Sequence, residues 1–226
     1  MVTLLSVASK LFERIMLKRI EKVSQERNLI EEEQGGFRAG RGCPELVWLL
    51  QSTLEGRRQN GEETVVAYLD VKKAYDTVWL AGLWRKLGDA GIGRDFIKMM
   101  RQWYHGMRAM VVTPWGRSRE VKIKRGVKQG SVLSPWLYSV YINGLIRRMK
   151  EERLGVIFED EWVGLIAFAD DIALLARNVE EMRKMLEVCE GYAKEWGFEW
   201  APAKCKVMGC NIQREVKLNL MGVQLE

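Results

Sequence analysis

Histidine is almost missing from this chain, with one, His105, in 226 residues. That scarcity excludes a histidine-based zinc site or a Cys–His nucleophile pair as the seat of any chemistry. The four cysteines, Cys43, Cys189, Cys205 and Cys210, stand far apart or at spacings no common zinc motif uses. Nothing marks the chain as secreted, so no disulfide partner is expected. No apolar run approaches the roughly 20 residues that cross a bilayer, and charges begin at Lys10, which argues against a secretory signal. Internal repeats and low-complexity linkers are absent as well. These absences predict an intracellular protein with no membrane partner.

Carboxylates and cations remain, on a background that is 47% hydrophobic and therefore folded. The length suits one large domain or two small ones. Lys and Arg number 36 against 30 Asp and Glu, a formal net charge of +6 that permits an anionic partner without requiring one. Nine tryptophans are many; most should be core, leaving a few to stack on bases.

Periodicity predicts an amphipathic helix over residues 4–23, with Val7, Leu11, Phe12, Ile15, Ile20 and Val23 inward and Lys10, Arg14, Lys18, Arg19 and Lys22 outward. The glycine-dense stretch Gln34 to Gly42 cannot be regular structure, and Pro44 opens a helix to about Gln59. A short apolar strand, Thr64 to Leu69, ends on Asp70, and helices follow near 78–88 and 95–105. Met110–Thr113 and Glu120–Lys124 read as a hairpin around Pro114-Trp115-Gly116. Ser134 reads as the N-cap of a helix to about Lys150, with Pro135 its first residue. Gly164–Ala176 reads as two strands meeting at a tight turn, followed by a helix over 179–196 capped by Asn178. Lys206–Cys210 and Val216–Leu220 are weaker strand candidates. Interleaved helices and antiparallel hairpins make the class α+β.

Asp170 and Asp171 interrupt a strongly apolar run, where carboxylates are costly unless exposed, protonated or bound to a cation. Alone, the pair reads as an exposed hairpin turn. If the strand ending at Asp70 lies alongside, three acidic groups converge at one sheet edge, an all-oxygen set that suits Mg²⁺ and leaves room for phosphates. Two-metal phosphoryl transfer uses such an arrangement. Asp76 precedes a helix and reads as an N-cap, while Lys72 and Lys73 read as surface charges. Arg38 and Arg41, on flexible glycine-rich backbone, form either a mobile loop or an anion cradle. In Gly126–Pro135, Gln129 beside Gly130 pairs a long amide with a residue that allows close approach to a base or sugar.

Taken together, Leu69-Asp70-Val71-Lys72-Lys73-Ala74-Tyr75-Asp76, Gly126 to Pro135, and Phe168-Ala169-Asp170-Asp171 resemble the ordered motifs of reverse transcriptases. The Phe-Ala-Asp-Asp box and the Gln34 to Gly42 segment are most similar to the non-LTR (LINE-type) retrotransposon branch. Gly197 to Met208 resembles the later palm motif with its lysine, and Leu220-Met221-Gly222 the primer-grip turn. The resemblance implies a right-hand polymerase core, with fingers mainly in 1–62 and part of 95–128 and palm mainly in 63–94 and 129–226. The palm would be a small antiparallel sheet backed by helices.

By that resemblance Asp70, Asp170 and Asp171 would hold two Mg²⁺ ions, with Mn²⁺ as a substitute, and Lys204 would protonate the leaving pyrophosphate. Arg38 and Arg41 would hold the triphosphate, Lys73 and Ala74 would give it backbone contacts, and Tyr75 would exclude a ribose 2′-hydroxyl. Gln129, with Gly130, would sit beside the nascent base pair. The implied activity is RNA-directed DNA polymerisation, with an RNA template, a DNA primer and dNTPs as partners, in the nucleus and cytoplasm of a eukaryotic host. A group II intron-type enzyme and a domesticated, non-catalytic RNA-binding module are the alternatives. Ala201 stands where the family often has asparagine, which leaves Lys204 and Lys206 hard to tell apart. The matched motifs run from the first fingers motif to the primer grip. The expectation is therefore a core without its thumb, weakly active or inactive alone.

Overall fold

The computed structural model describes residues 5–38, 40–212 and 216–225. Residue 4, the expected start of the first helix, and Ala39 of the glycine-dense stretch lie outside them. Helix α1 spans Val7–Glu26 and is capped by Ser6, whose hydroxyl accepts from the Ser9 amide. Val7, Leu11 and Ile15, expected inward, are exposed, while Met16 and Ile20 are buried. Glu13 causes this rotation. It is only 1% exposed, and its carboxylate accepts from the Trp103 indole at 3.0 Å and the Val132 amide at 3.2 Å.

Helix α2 (Cys43–Gln59) has Pro44 in its first turn, where the missing N–H costs nothing. Strand β1 is Thr64–Leu69, followed by the single turn α3 (Ala74–Thr77), α4 (Leu80–Asp89) and α5 (Arg94–Tyr104). The expected hairpin resolves into two short ladders. β2 (Arg108–Ala109) pairs with β5 (Val121–Lys122), and β3 (Val112–Thr113) pairs with β4 (Gly116–Arg117). Between them the Ser118 hydroxyl accepts from the Val111 amide at 2.9 Å and interrupts the ladder.

Helix α6 is Ser134–Glu151. Ser134 is its first residue and not its cap; Ser131, three positions earlier, accepts from the amides of Leu133 and Ser134. A small hairpin follows, β6 (Ile157–Phe158) with β7 (Glu161–Trp162), then β8 (Leu165–Phe168), β9 (Asp171–Ala176) and α7 (Val179–Trp196). Asn178 caps α7 as expected, accepting from Glu181 N at 2.8 Å. After β10 (Lys206–Cys210), only Asn219–Leu220 of the last expected strand is extended, as β11, paired with β12 (Val223–Gln224) around Met221–Gly222.

The main sheet runs β10-β1-β9-β8, antiparallel throughout. Alternation along β1 sends Val65, Ala67 and Leu69 to one face and Val66 to the other. The first face carries the larger core, under α4, α5, α6 and α7. The second is covered by Leu46, Leu49, Leu50 and Leu54 of α2. Side chains such as Leu165 and Leu174, with no exposed surface, each contribute roughly 1.5–3 kcal/mol. The expected α+β class and the small antiparallel sheet backed by helices are both present.

Candidate active site

Register places the acidic residues. Leu69 pairs with Ile172, so Asp70 emerges beside the start of β9, and Phe168 pairs with Asp171, leaving Ala169–Asp170 as a two-residue turn. Asp70 is held from both sides of its peptide unit: its carbonyl accepts from Ala201 N at 2.8 Å, and its amide approaches Cys205 Sγ at 3.5 Å. The Lys204 ammonium lies 2.9 Å from Asp70 Oδ2. That oxygen is buried, and the Lys204 ammonium is the partner it has.

Burial pushes the Asp170 carboxyl upward; its own backbone offsets part of this, and the charges of Asp171 and Asp70 add to the rise. The Lys204 amine is raised in turn, by Asp70 first and more weakly by Asp170 and Asp171. Asp70, Asp171 and Lys204 open into a cleft of about 330 Å³ floored by Leu46, Leu50 and Ile166. The three aspartates and Lys204 thus form one electrostatic unit, which also separates Lys204 from Lys206, the latter lying in β10 opposite Tyr68. A buried carboxylate oxygen whose nearest partner is a cation, next to a carboxyl raised by like charges, fits a hard divalent ion. Among the described residues, no three acidic, His or Cys side chains are already gathered into a metal cage.

The turn is clamped by Gln34, which the sequence reading placed at the head of the glycine-dense stretch without a role of its own. Gln34 has no exposed surface. Its Oε1 accepts from Ala169 N at 3.0 Å and Gly36 N at 2.9 Å, and its Nε2 donates to Ala169 O at 3.2 Å. Ala169 sits at φ +62°, a left-handed conformation that costs a non-glycine residue roughly 1–2 kcal/mol. The glutamine amide satisfies both of its peptide groups there. Gln34 also bridges Ala167 in parallel, extending the sheet past β8. A Cβ at Gly36 would lie 2.3 Å from Ala169 N, so only glycine permits this approach. A polar residue before Gly-Gly, where backbones can meet closely, was the available signal.

Tyr75 stacks on Tyr138 with centroids 5.3 Å apart and planes 15° apart. Burial, then the charge of Asp170, pushes its phenol up to about 12. Asp76 is not an N-cap: it lies inside α3, and Trp79 caps α4. Its Oδ1 accepts from Gln129 Nε2 at 2.7 Å, and both line a cleft of about 350 Å³. The two segments are joined through backbone as well, Val127 N donating to Tyr75 O at 2.8 Å. Lys73 turns the chain at φ +52° and Ala74 is buried. Lys72, expected as a surface charge, pairs with Glu199 at 2.9 Å. Gly130 adopts φ +78° at the end of the Gln129 loop.

Arg38 and Arg41 do not join the carboxylates. Both pair with Glu32, Arg38 at 3.0 Å, and both donate to nearby backbone carbonyls. They line a separate cavity of about 140 Å³ with Gly36, Phe37 and Trp136.

The sequence model of the family described as "Reverse transcriptase (RNA-dependent DNA polymerase)" matches residues 1–225. The chain is 30% identical over 203 residues to the retrovirus-related Pol polyprotein from type-1 retrotransposable element R2 of Nasonia vitripennis, covering 90% of this chain and 19% of that protein. It is 28% identical over 201 residues to the RNA-directed DNA polymerase from mobile element jockey of Drosophila funebris, covering 88% and 21%. The chain therefore spans about a fifth of the length of these relatives. Among solved structures, a telomerase from Candida tropicalis superposes with a TM-score of 0.65 at 12% identity, covering 96% of this chain and 36% of that one, a likeness of fold. With the polymerase fold, the acidic β1–β9 edge and a family match along nearly its whole length, the chain belongs to the reverse transcriptase family, among the non-LTR retrotransposon relatives.

Proposed function

We propose that the chain is the fingers–palm core of an RNA-directed DNA polymerase, adding dNTPs to a primer 3′-hydroxyl on an RNA template. The observation that carries this is the unit of Asp70, Asp170, Asp171 and Lys204 at one sheet edge. Fingers fall mainly in 1–62 and part of 95–128, and palm mainly in 63–94 and 129–226. Asp70, Asp170 and Asp171 are the residues to hold Mg²⁺. When bound, it supplies activation of the 3′-hydroxyl and charge to offset the leaving pyrophosphate.

The remaining work falls to the chain's own side chains. Lys204, raised by its acidic neighbours, keeps a proton at Nζ that it can deliver to the departing phosphate. Tyr75 stays a neutral phenol, and its stack on Tyr138 fixes the ring where a 2′-hydroxyl would collide. Asp76 orients the Gln129 amide toward the base-pair position, next to Gly130. Backbone at Lys73 and Ala74, in the left-handed turn and the helical turn after it, approaches the triphosphate. Arg38 and Arg41 reach the triphosphate by exchanging Glu32 for phosphate oxygens, since both anions suit the same guanidinium fork.

Primer extension on an RNA template tests the reading. The parent chain incorporates dNTPs, and Asp170→Asn lowers the rate by roughly 10²–10³, as removal of one charge-stabilising group typically does. Parental extension by a folded Asn variant would sink the assignment.

A further inference from the structure

The β2–β5 hairpin concentrates the chain's excess charge. Residues 106–125 hold six Arg and Lys against Glu120 alone, which is +5 of the formal +6. Arg108 pairs with Glu120 at 3.0 Å, and Arg125 donates to the Gly197 carbonyl. Arg117, Arg119, Lys122 and Lys124 are all exposed, and none has an ion-pair partner among the described residues. Apolar side chains point outward beside them: Val112 and Val121 face solvent, and Trp115, at the tip, is 93% exposed. Ladders of two residues with no buried face are marginal on their own in water. Beyond its root, where Met107 packs on the larger core, the hairpin buries no side chain.

Its chemistry does suit one occupant. Unpaired guanidinium and ammonium groups around a projecting indole are the groups that bind a single-stranded polynucleotide, cations on phosphates and a ring under a base. A polynucleotide offers both at once, since every nucleotide sets a phosphate beside a base plane on which an indole can stack. Position agrees, because Arg108, Ala109 and Ile123 at the root of the hairpin share the 350 Å³ cleft with Asp76 and Gln129. A strand lying on the hairpin therefore runs toward the Gln129 loop. We infer that the hairpin is a docking arm for single-stranded nucleic acid, with Arg117, Arg119, Lys122 and Lys124 on the phosphates and Trp115 stacked on a base. This surface is distinct from the aspartates, and its occupancy does not require chemistry at Asp170.

The test is equilibrium binding of a fluorescent oligouridylate to the chain in EDTA without nucleotides, followed by anisotropy across a salt series. Replacing the four cations by serine should weaken binding and make the log–log salt slope shallower by about 3, each phosphate contact on a single strand contributing about 0.7. Trp115→Ala should weaken binding roughly tenfold at unchanged slope, with Trp115→Phe recovering most of it. Inorganic polyphosphate, which has phosphates and no bases, should respond to the four-serine variant and ignore Trp115→Ala. Parental affinity and slope in the folded four-serine variant would overturn the proposal. So would equal loss of polyphosphate and oligouridylate on Trp115→Ala, or loss of self-association in sedimentation as the sole effect. Binding in EDTA without nucleotides involves no chemistry at the aspartates, so failure of the polymerase reading leaves this readout standing.

Discussion

The turn at Ala169–Asp170 and the turn at Pro114–Trp115 each join two antiparallel strands through two residues. Around the first, everything is fixed: β8 and β9 lie inside a four-stranded sheet, both Ala169 peptide groups are bonded to one buried amide, and Gly36 packs against its nitrogen. Around the second, the ladder is two residues long and the turn's tryptophan faces water. The same two-residue connection thus serves two ends. Where carboxylates must be held near one another against their repulsion, the scaffold spends buried polar groups on a strained backbone. Where a partner supplies the missing contacts, the turn stays bare.

The sharpest way to break this contrast is Gln34→Ala. It leaves the Ala169 amide and carbonyl and the Gly36 amide buried without partners, at roughly 1–3 kcal/mol for each unsatisfied group. A stability loss of about 3 kcal/mol in urea unfolding is expected, with dNTP addition falling further than the folded fraction explains. Unfolding like the parent's would mean that Gln34 does not hold the turn. Next in size is Tyr75→Val, which opens space beside the sugar. The ratio of dNTP to rNTP incorporation should fall by about tenfold, within the range that removal of a steric wall produces. An unchanged ratio would make Tyr75 a packing residue of the Tyr138 stack.

Acid should also separate the two regions. Burial alone would raise the Glu181 carboxyl, but hydrogen bonds from the Arg177 side chain and from the Arg177 and Gly155 amides outweigh it, and the net direction is below the ordinary 4.5. A carboxyl depressed in the native state stabilises it fully above the unfolded value, and that contribution is lost as pH falls through the native one. The sheet and α7 should therefore lose stability below about pH 4.5, and Glu181→Gln should flatten that dependence. The hairpin holds no buried carboxylate; its one acid, Glu120, is exposed and pairs with Arg108 at 3.0 Å. The smallest effect belongs to Trp115→Ala, expected to change unfolding free energy by less than about 0.5 kcal/mol, since the ring buries almost nothing. A larger loss would show that the tip packs on something.

Elements whose cause is local were legible from sequence. β1, α2, α7 with its Asn178 cap, and the two-strand reading of Gly164–Ala176 follow from periodicity and capping chemistry. What was missed depends on contacts far apart in the chain. Gln34 and Ala169 are 135 positions apart, and Glu13 and Val132 are 119; no window of residues contains both partners. Asp76 was misread because a carboxylate before a helix usually caps it, whereas here Gln129, 53 positions on, claims it. Ser134 was misread as the cap for a local reason, since the chain enters α6 one residue earlier than the Ser-Pro pair suggested, with Leu133 at the N-cap position. In the candidate site the aspartates were legible by residue type and resemblance, but the separation of Arg38 and Arg41 from them was not.

The Gln34 clamp also sets an order of events during synthesis. Gln34 leaves the ribosome first, and its partner Ala169 is made 135 residues later. At about 5–20 residues per second that is a wait of roughly 7 to 27 s. Throughout that interval the Gln34 amide is served by water and the segment 33–36 has no β8 to join. When β8 and β9 emerge, their left-handed turn is completed by a piece of chain already present. The acidic edge of this protein therefore acquires its final shape by closure of a long loop, late in the life of the nascent chain.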